Sequence, residues 1–168
     1  MMELMDVAIA LTLGVTLAAT AGLRAFLPLT LVSALGYSGA VELTGPVEFL
    51  AHPMALLSFA TGVLLEVAAD KFPVVDHLVD TAGTVIRPLA GALVGTSLVA
   101  GTEPLVTAVM GVAAGGTVAG ITHVGKAAVR AGSTATTAGA GSPVLSTVED
   151  VIALSVGGAA ALVAAGVF

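Results

Sequence analysis

Residues 71–88 read KFPVVDHLVDTAGTVIRP, and this stretch decides how the rest of the chain is interpreted. Pro73 can open a helix, because the first turn of a helix does not use the N–H that proline lacks. Asp76 and Asp80 are four residues apart and Arg87 follows seven residues later, so the three share one helical face. Most other positions are apolar. The stretch therefore predicts an amphipathic helix that lies at a membrane interface or lines a polar cavity.

The overall composition is that of a membrane protein. Of the 168 residues, 57% are hydrophobic and only 10% are charged, whereas a soluble domain is about 25% charged. The chain contains no cysteine, which excludes disulfides, thiolate catalysis and cysteine-bound metals. Its net charge of −6 argues against nucleic-acid binding, which needs a basic surface.

Six apolar segments predict an all-α integral membrane bundle that forms a single domain over residues 1–168. At least two segments are short, broken or re-entrant, because they fall below the roughly 20 residues of a full span. Pro28 is expected to kink the second segment, and Pro88 to end or kink the amphipathic helix before a separate fourth segment. The six segments cover about residues 6–20, 23–39, 53–70, 89–100, 105–126 and 143–167.

The polar connections between these segments predict two loops. Residues 41–52 contain Gly45-Pro46 and precede Pro53, which is typical of an outer loop. Residues 132–142 are rich in glycine, serine and threonine, which indicates a flexible loop.

Charged residues divide between the two ends of this bundle. All five basic residues fall on one side, and the acidic residues on the other side have no basic neighbour: Glu3, Asp6, Glu42, Glu48 and Glu103. Cytoplasmic loops carry the lysine and arginine excess. The pattern predicts a multi-pass protein of the cell (inner or plasma) membrane with both termini outside.

The cytoplasmic side gathers the residues that could carry a function. Ionisable side chains within spans are costly, so they pair with one another or face a water-filled cavity. One interpretation is a set of ion pairs that holds short helices together, and the other is a polar vestibule that binds a proton, a small ion or an anionic headgroup. The predicted cluster comprises Arg24, Glu66, Asp70, Lys71, Asp76, Asp80, Arg87, Lys126, Arg130, Glu149 and Asp150.

Other kinds of site receive less support from the sequence. Asp76, His77, Asp80 and Glu149 offer ligands that suit Mg²⁺ or Ca²⁺, but their spacing matches no known ligand loop, so we predict no metal site and no cofactor. His77 and His123 are interpreted as hydrogen-bonded interfacial residues. The chain has no nucleophile elbow, zinc-protease motif or phosphate loop, so we do not expect an enzyme.

Glycines at four-residue spacing predict close helix packing in the fifth segment. The two pairs are Gly111 with Gly115 and Gly116 with Gly120. Such small-xxx-small spacings let a second helix approach closely, whether from the same chain or from a partner.

Several motifs together resemble a known family. They are AGLRAFLPL at 21–29, EVAADKFP at 66–73 with the two aspartates that follow, Arg87-Pro88, residues 126–134, and Ser142-Pro143 with Glu149-Asp150. This set resembles the prokaryotic membrane family catalogued as domain of unknown function 4126, over nearly the whole chain. The resemblance implies a small polytopic inner-membrane protein and supplies no activity.

The leading functional expectation is a small transporter or channel-like protein for an ion or solute. Its pathway would be lined by Glu66, Asp70, Asp80, Arg87, Lys126 and Glu149. A structural or accessory subunit of a larger membrane complex is the alternative, with Gly111 and Gly115 at the docking face. A third reading is binding of an anionic lipid by Arg24, Lys71 and Arg87. Besides the bilayer, a homo-oligomer is expected, because short spans gain from self-association.

Overall fold

The computed structural model describes residues 4–70, 73–98 and 104–167, and within them helices joined by short connections make up the fold, with no strand. Its elements are α1 (Leu4–Leu23), α2 (Phe26–Ser38), a 3₁₀ helix (Gly45–Ala51), α3 (Pro53–Ala69), α4 (Pro73–Ser97), α5 (Pro104–Met110), a π-helical segment (Gly111–Gly116), α6 (Thr117–Thr137) and α7 (Ser142–Val167). The predicted all-α bundle is thus confirmed.

Three helical stretches among the described residues are long and apolar enough to cross a membrane. They cover Leu78–Ser97, Thr107–Thr137 and Ser142–Gly166, and a fourth would arise if the 3₁₀ helix and α3 formed one span despite a 72° bend between them. Large apolar side chains point outward from these helices: Leu64 is 70% exposed, Ile121 67% and Leu162 77%. A surface of this kind suits lipid, so the fold is that of a membrane protein.

The first two helices form a discontinuous pair. The α-helical backbone is interrupted at Arg24 and Ala25, between α1 and α2. Thr20, one turn before the interruption, and Leu31, beyond it, both lie against Gly157 of α7. The chain therefore turns back at the interruption. Pro28 is not the site of a kink as predicted, since it lies in the first turn of α2, where its missing N–H is not needed.

Helix α4 is longer than predicted. It runs from Pro73 to Ser97 without ending at Pro88, so the amphipathic helix and the expected fourth segment are one helix. The predicted division at Pro88 is wrong because the facing helix makes room for the proline: Gly116 lies against its carbonyl and Gly120 against its ring. Neighbouring helices commonly make proline tolerable in this way within membranes.

The fifth span also extends beyond its predicted end. Helical structure continues from Pro104 through the π segment to Thr137, so half of the predicted flexible loop at 132–142 belongs to α6. The hydroxyl of Thr137 donates a 2.8 Å hydrogen bond to the carbonyl of Ser133 within that last turn. The helix ends where Ala138 and Gly139 adopt positive φ angles of 51° and 87°.

The predicted outer loop is folded back on the bundle. Residues 41–52 contain the 3₁₀ helix, and the loop buries Val41, Leu43, Val47 and Leu50 in the apolar core. The Nδ1 atom of His52 accepts a 3.2 Å hydrogen bond from the N–H of Met54 and so caps α3. This loop lies at the end of α2 opposite the α1–α2 interruption, where Leu43 and Ala51 lie against Gly36.

The glycines of the fifth span contact helices of the same chain. Gly111 lies against Thr96 of α4, and Gly115 lies against Gly91 and Gly95. A Cβ atom at Gly115 would come within 2.3 Å of the carbonyl oxygen of Gly91, which no close-packed interface accommodates without a shift. These small residues therefore let α4 and the π segment pack backbone to backbone.

Candidate functional site

The backbone ends exposed by the α1–α2 interruption are bound by charged side chains from other helices. The carboxylate of Glu66, near the end of α3, accepts hydrogen bonds from the N–H groups of Ala25 and Phe26, both at 3.1 Å. A helix N-terminus carries a partial positive charge and unpaired N–H groups, and one buried carboxylate satisfies both. Glu66 thus caps α2 from a distance of 40 residues in sequence.

The other side of the interruption has the opposite polarity and binds cations. The guanidinium of Arg87 donates to the carbonyl of Gly22 at 3.3 Å, and the ammonium of Lys126 donates to the carbonyl of Leu23 at 3.2 Å. Both side chains are buried, with 2% and 1% of their surface exposed. The C-terminal carbonyls of a helix carry partial negative charge, so these two cations stabilise the end of α1.

A continuous network of ion pairs surrounds this interruption. Arg87 donates to Asp80 at 3.0 Å and lies 4.0 Å from Glu66. Lys126 lies 3.4 Å from Asp80 and 3.3 Å from Glu149. Carboxylates of three different helices, α3, α4 and α7, therefore meet the two cations that bind α1.

Arg130 is the most highly coordinated cation of the network. Its Nε and Nη2 atoms donate to the two carboxylate oxygens of Glu149 at 2.9 and 2.8 Å, and its Nη1 atom donates to both oxygens of Asp76 at 2.8 and 2.7 Å. Such paired hydrogen bonds exploit the planar fork of arginine. Arg130 therefore fixes α6 against both α4 and α7.

Arg24 closes the network at the interruption itself. It donates to Asp70 and, at 3.1 Å, to the hydroxyl of Ser146, which in turn donates to Asp70. Its Nε atom lies 2.6 Å from Asp150 without the alignment of a hydrogen bond, so this contact is an ion pair only. Ser146 was not predicted from the sequence, although it lies three and four residues before Glu149 and Asp150 and so shares their face of α7.

The structure brings together ten of the eleven residues of the predicted cluster. Lys71 lies outside the described residues, as does the side chain of His77. We define the charge cluster as the ten described members: Arg24, Glu66, Asp70, Asp76, Asp80, Arg87, Lys126, Arg130, Glu149 and Asp150. Six carboxylates face four cations, so the described part of the cluster carries excess negative charge.

His123 is part of the same network rather than an interfacial residue. An arginine can only donate, so the 2.9 Å contact from Arg87 requires Nδ1 of His123 to be an acceptor. The ring is therefore neutral, with its proton on Nε2, which lies 3.5 Å from the hydroxyl of Thr84.

A half-open cavity of about 1080 Å³ adjoins the cluster, between α4, α6 and the start of α7. Its charged lining residues are Asp70, Asp76, Asp80 and Arg130, and His123 also reaches it. Of the six residues predicted to line a pathway, only Asp70 and Asp80 do so. Glu66, Arg87, Lys126 and Glu149 lie behind the lining and bind the helix ends or one another.

Two aspartates at the rim of the cavity differ in their acidity. Burial works against ionisation of Asp70, but hydrogen bonds from Arg24 and Ser146 outweigh it and lower the pKa of Asp70. Burial and the adjacent Asp70 raise the pKa of Asp76, against the attraction of Arg130. Asp76 is therefore the more readily protonated of the two.

Comparison with known proteins places this chain in a family. The family model described as "Domain of unknown function (DUF4126)" matches residues 11–167. The chain belongs to the DUF4126 family. The match spans every residue of the charge cluster, so the network lies wholly within the family's region. No curated protein and no solved structure matches the chain.

Within this DUF4126 chain, the geometry bears on three further interpretations of the sequence. Among the described residues, no three histidine or carboxylate side chains converge as metal ligands. Arg24 and Arg87, which the third interpretation assigned together with Lys71 to an anionic lipid, are each engaged by carboxylates of the chain. Gly111 and Gly115 pack on α4 instead of facing a partner.

The capping role of Glu66 predicts the effect of a conservative substitution. Glu66→Gln keeps the shape of the side chain but leaves one oxygen for the two backbone N–H groups. The NH₂ group that replaces the other oxygen is a donor, and it would face a backbone N–H that also donates. We expect a loss of about 2 kcal/mol in unfolding free energy, the range of a lost cap or a buried unpaired N–H. Thermal unfolding in lipid nanodiscs measures it. Glu48→Gln, on the exposed face of the 3₁₀ helix, is the matched control. Equal stability of the two variants would contradict the capping role.

Proposed function

We propose that this protein is a small membrane transporter or channel-like protein that binds a small cation, or a solute with a cationic group, in the cavity beside the charge cluster. The observation that carries the proposal is the position of the cavity. It is lined by three aspartates against one arginine, and two of these aspartates, Asp70 and Asp80, pair with the cations at the discontinuous helix pair. Discontinuous helices in many transporters lie at the substrate site, where their ends bind charged groups.

The sign of the charge in the cavity indicates whether its ligand is a cation or an anion. Asp70, Asp76 and Asp80 outnumber Arg130, and the neutral ring of His123 adds no positive charge. The described cations are engaged by carboxylates, so none is left to attract an anionic headgroup. A solute that brings positive charge would instead relieve repulsion among the aspartates.

The ion pairs of the charge cluster support this role, because they hold the helices that surround the cavity. Arg130 ties α6 to α4 and α7, and Arg24, at the α1–α2 interruption, pairs with Asp70 at the end of α3 and with Asp150 of α7. Cutting one such pair leaves a buried charge uncompensated, at a cost of about 3–5 kcal/mol. A cation that competes for Asp76 or Asp80 would weaken these ion pairs. Cation binding could then move the helices that they hold.

We also propose an orientation in the inner membrane, with the charge cluster at the cytoplasmic face and the 3₁₀ loop outside. The cysteine-free chain allows this to be tested directly. Cysteines placed one at a time at Glu48 and at Ala140 should differ in whole cells: Glu48→Cys reacts with an impermeant maleimide, and Ala140→Cys reacts only after permeabilisation. The reverse pattern would invert the orientation, and labelling of both or neither from outside would contradict it.

Transport itself is tested in proteoliposomes on a solid-supported membrane. Concentration jumps of K⁺, Na⁺, ammonium and methylammonium are compared with jumps of chloride and phosphate balanced by choline. We expect a transient current with at least one of the four cations and none with the anions. Asp76→Asn should abolish the current, because it removes a carboxylate from the cavity lining.

The control is Glu48→Gln, since Glu48 is exposed and belongs neither to the charge cluster nor to the cavity lining. It should keep the current, and both variants should remain folded. Absence of current with all four cations would contradict transport of a small cation. Co-purification with another membrane protein in fixed stoichiometry, without any current, would favour the accessory-subunit alternative.

A further inference from the structure

The ammonium group of Lys126 occupies an enclosed pocket made of oxygen atoms. The carbonyl of Leu23 lies 3.2 Å from Nζ, an oxygen of Glu149 3.3 Å and an oxygen of Asp80 3.4 Å. These oxygens come from the end of α1, from α7 and from α4. The lysine side chain is 1% exposed, so solvent contributes almost nothing to its coordination.

This pocket has the chemistry of a monovalent-cation site. A lysine ammonium is a compact point charge with three donors and no acceptor, and it meets three oxygen acceptors here. A backbone carbonyl at a helix C-terminus combined with carboxylates also suits a hard alkali cation, and transporters with broken helices bind Na⁺ at such carbonyls. The arginines of the charge cluster differ, because their charge is spread over a planar fork.

The oxygens of the pocket are held by contacts other than those to Lys126. Arg130 binds both oxygens of Glu149, at 2.9 and 2.8 Å, and Arg87 donates to Asp80 at 3.0 Å. The carbonyl of Leu23 is fixed by the end of α1, whose Gly22 lies against the backbone of α6 at Ala119. Removing the ammonium therefore leaves the oxygens in place with uncompensated negative charge.

We propose that this pocket is a monovalent-cation site in which Lys126 serves as the resident cation. The wild-type protein consequently needs no free cation to hold the end of α1. When the ammonium is removed, the site binds a free monovalent cation such as K⁺, Na⁺ or ammonium. The inference rests on the coordination of Lys126 and does not depend on the proposed transport function.

The test is chemical rescue of Lys126→Met, which removes the charge and keeps an unbranched chain. Thermal unfolding is measured in nanodiscs of uncharged lipid, with choline replaced stepwise by K⁺, Na⁺ or ammonium at constant ionic strength. The wild type measured in each salt is the reference, since a cation bound in the neighbouring cavity would raise the midpoint of both proteins. Relative to the wild type in the same salt, the midpoint of Lys126→Met should fall by several degrees in choline and recover by at least half, saturably, in one of the small cations.

Two further variants make the outcome decisive. Lys126→Met combined with Glu149→Gln removes a carboxylate of the pocket and should lose the recovery. Lys126→Ala offers more room in case Met blocks the site. Equal instability of both single variants in every salt, or failure of both to fold in the presence of all three small cations, would overturn the proposal. Neither result would change the electrical current that the wild type gives in proteoliposomes, so neither would bear on transport.

Discussion

The structure depends on how the protein satisfies a helix interruption inside an apolar bundle. Unpaired N–H and C=O groups buried at this point are costly, because the apolar side chains around them offer no partner. Here Glu66 binds the N–H groups that begin α2, while Arg87 and Lys126 bind the carbonyls that end α1. Each charge also matches the polarity of the helix end that it meets. The remaining ion pairs then neutralise these three buried residues.

This arrangement joins the two interpretations of the charge cluster that the sequence left open. The buried members, such as Glu66 and Lys126, hold helix ends, which is a structural task. Asp70, Asp76 and Asp80 reach a cavity and leave it with excess negative charge, which is the surface that we propose binds a cation. A single network can do both, because a ligand that competes for Asp80 also acts on the cations behind it. Under the proposed function, cation binding and helix position are coupled through these contacts.

The sequence predicted the membrane fold and the membership of the cluster well, because burial cost alone forces charged residues of apolar helices to find one another. It could not predict the partners. Glu66 caps a helix 40 residues away, and Ser146 bridges Arg24 to Asp70; both contacts depend on how helices cross in space. Proline disfavours helix interiors, but neither proline breaks a helix here. Pro28 lies in the first turn of α2, where its missing N–H is not needed, and Pro88 faces glycines of the neighbouring helix that make room for it. The end of α6 is rich in glycine, serine and threonine, whose low helix propensity predicts a loop although the chain is helical there.

The most direct test of this account is amide hydrogen exchange at the start of α2, in nanodiscs, compared between the wild type and Glu66→Gln. If the carboxylate binds the N–H groups of Ala25 and Phe26, these amides exchange slowly in the wild type and much faster in the variant, while the middle of α1 is unchanged. Rapid exchange of the two amides in the wild type, or equally slow exchange in both proteins, would contradict the claim that Glu66 holds the interrupted helix.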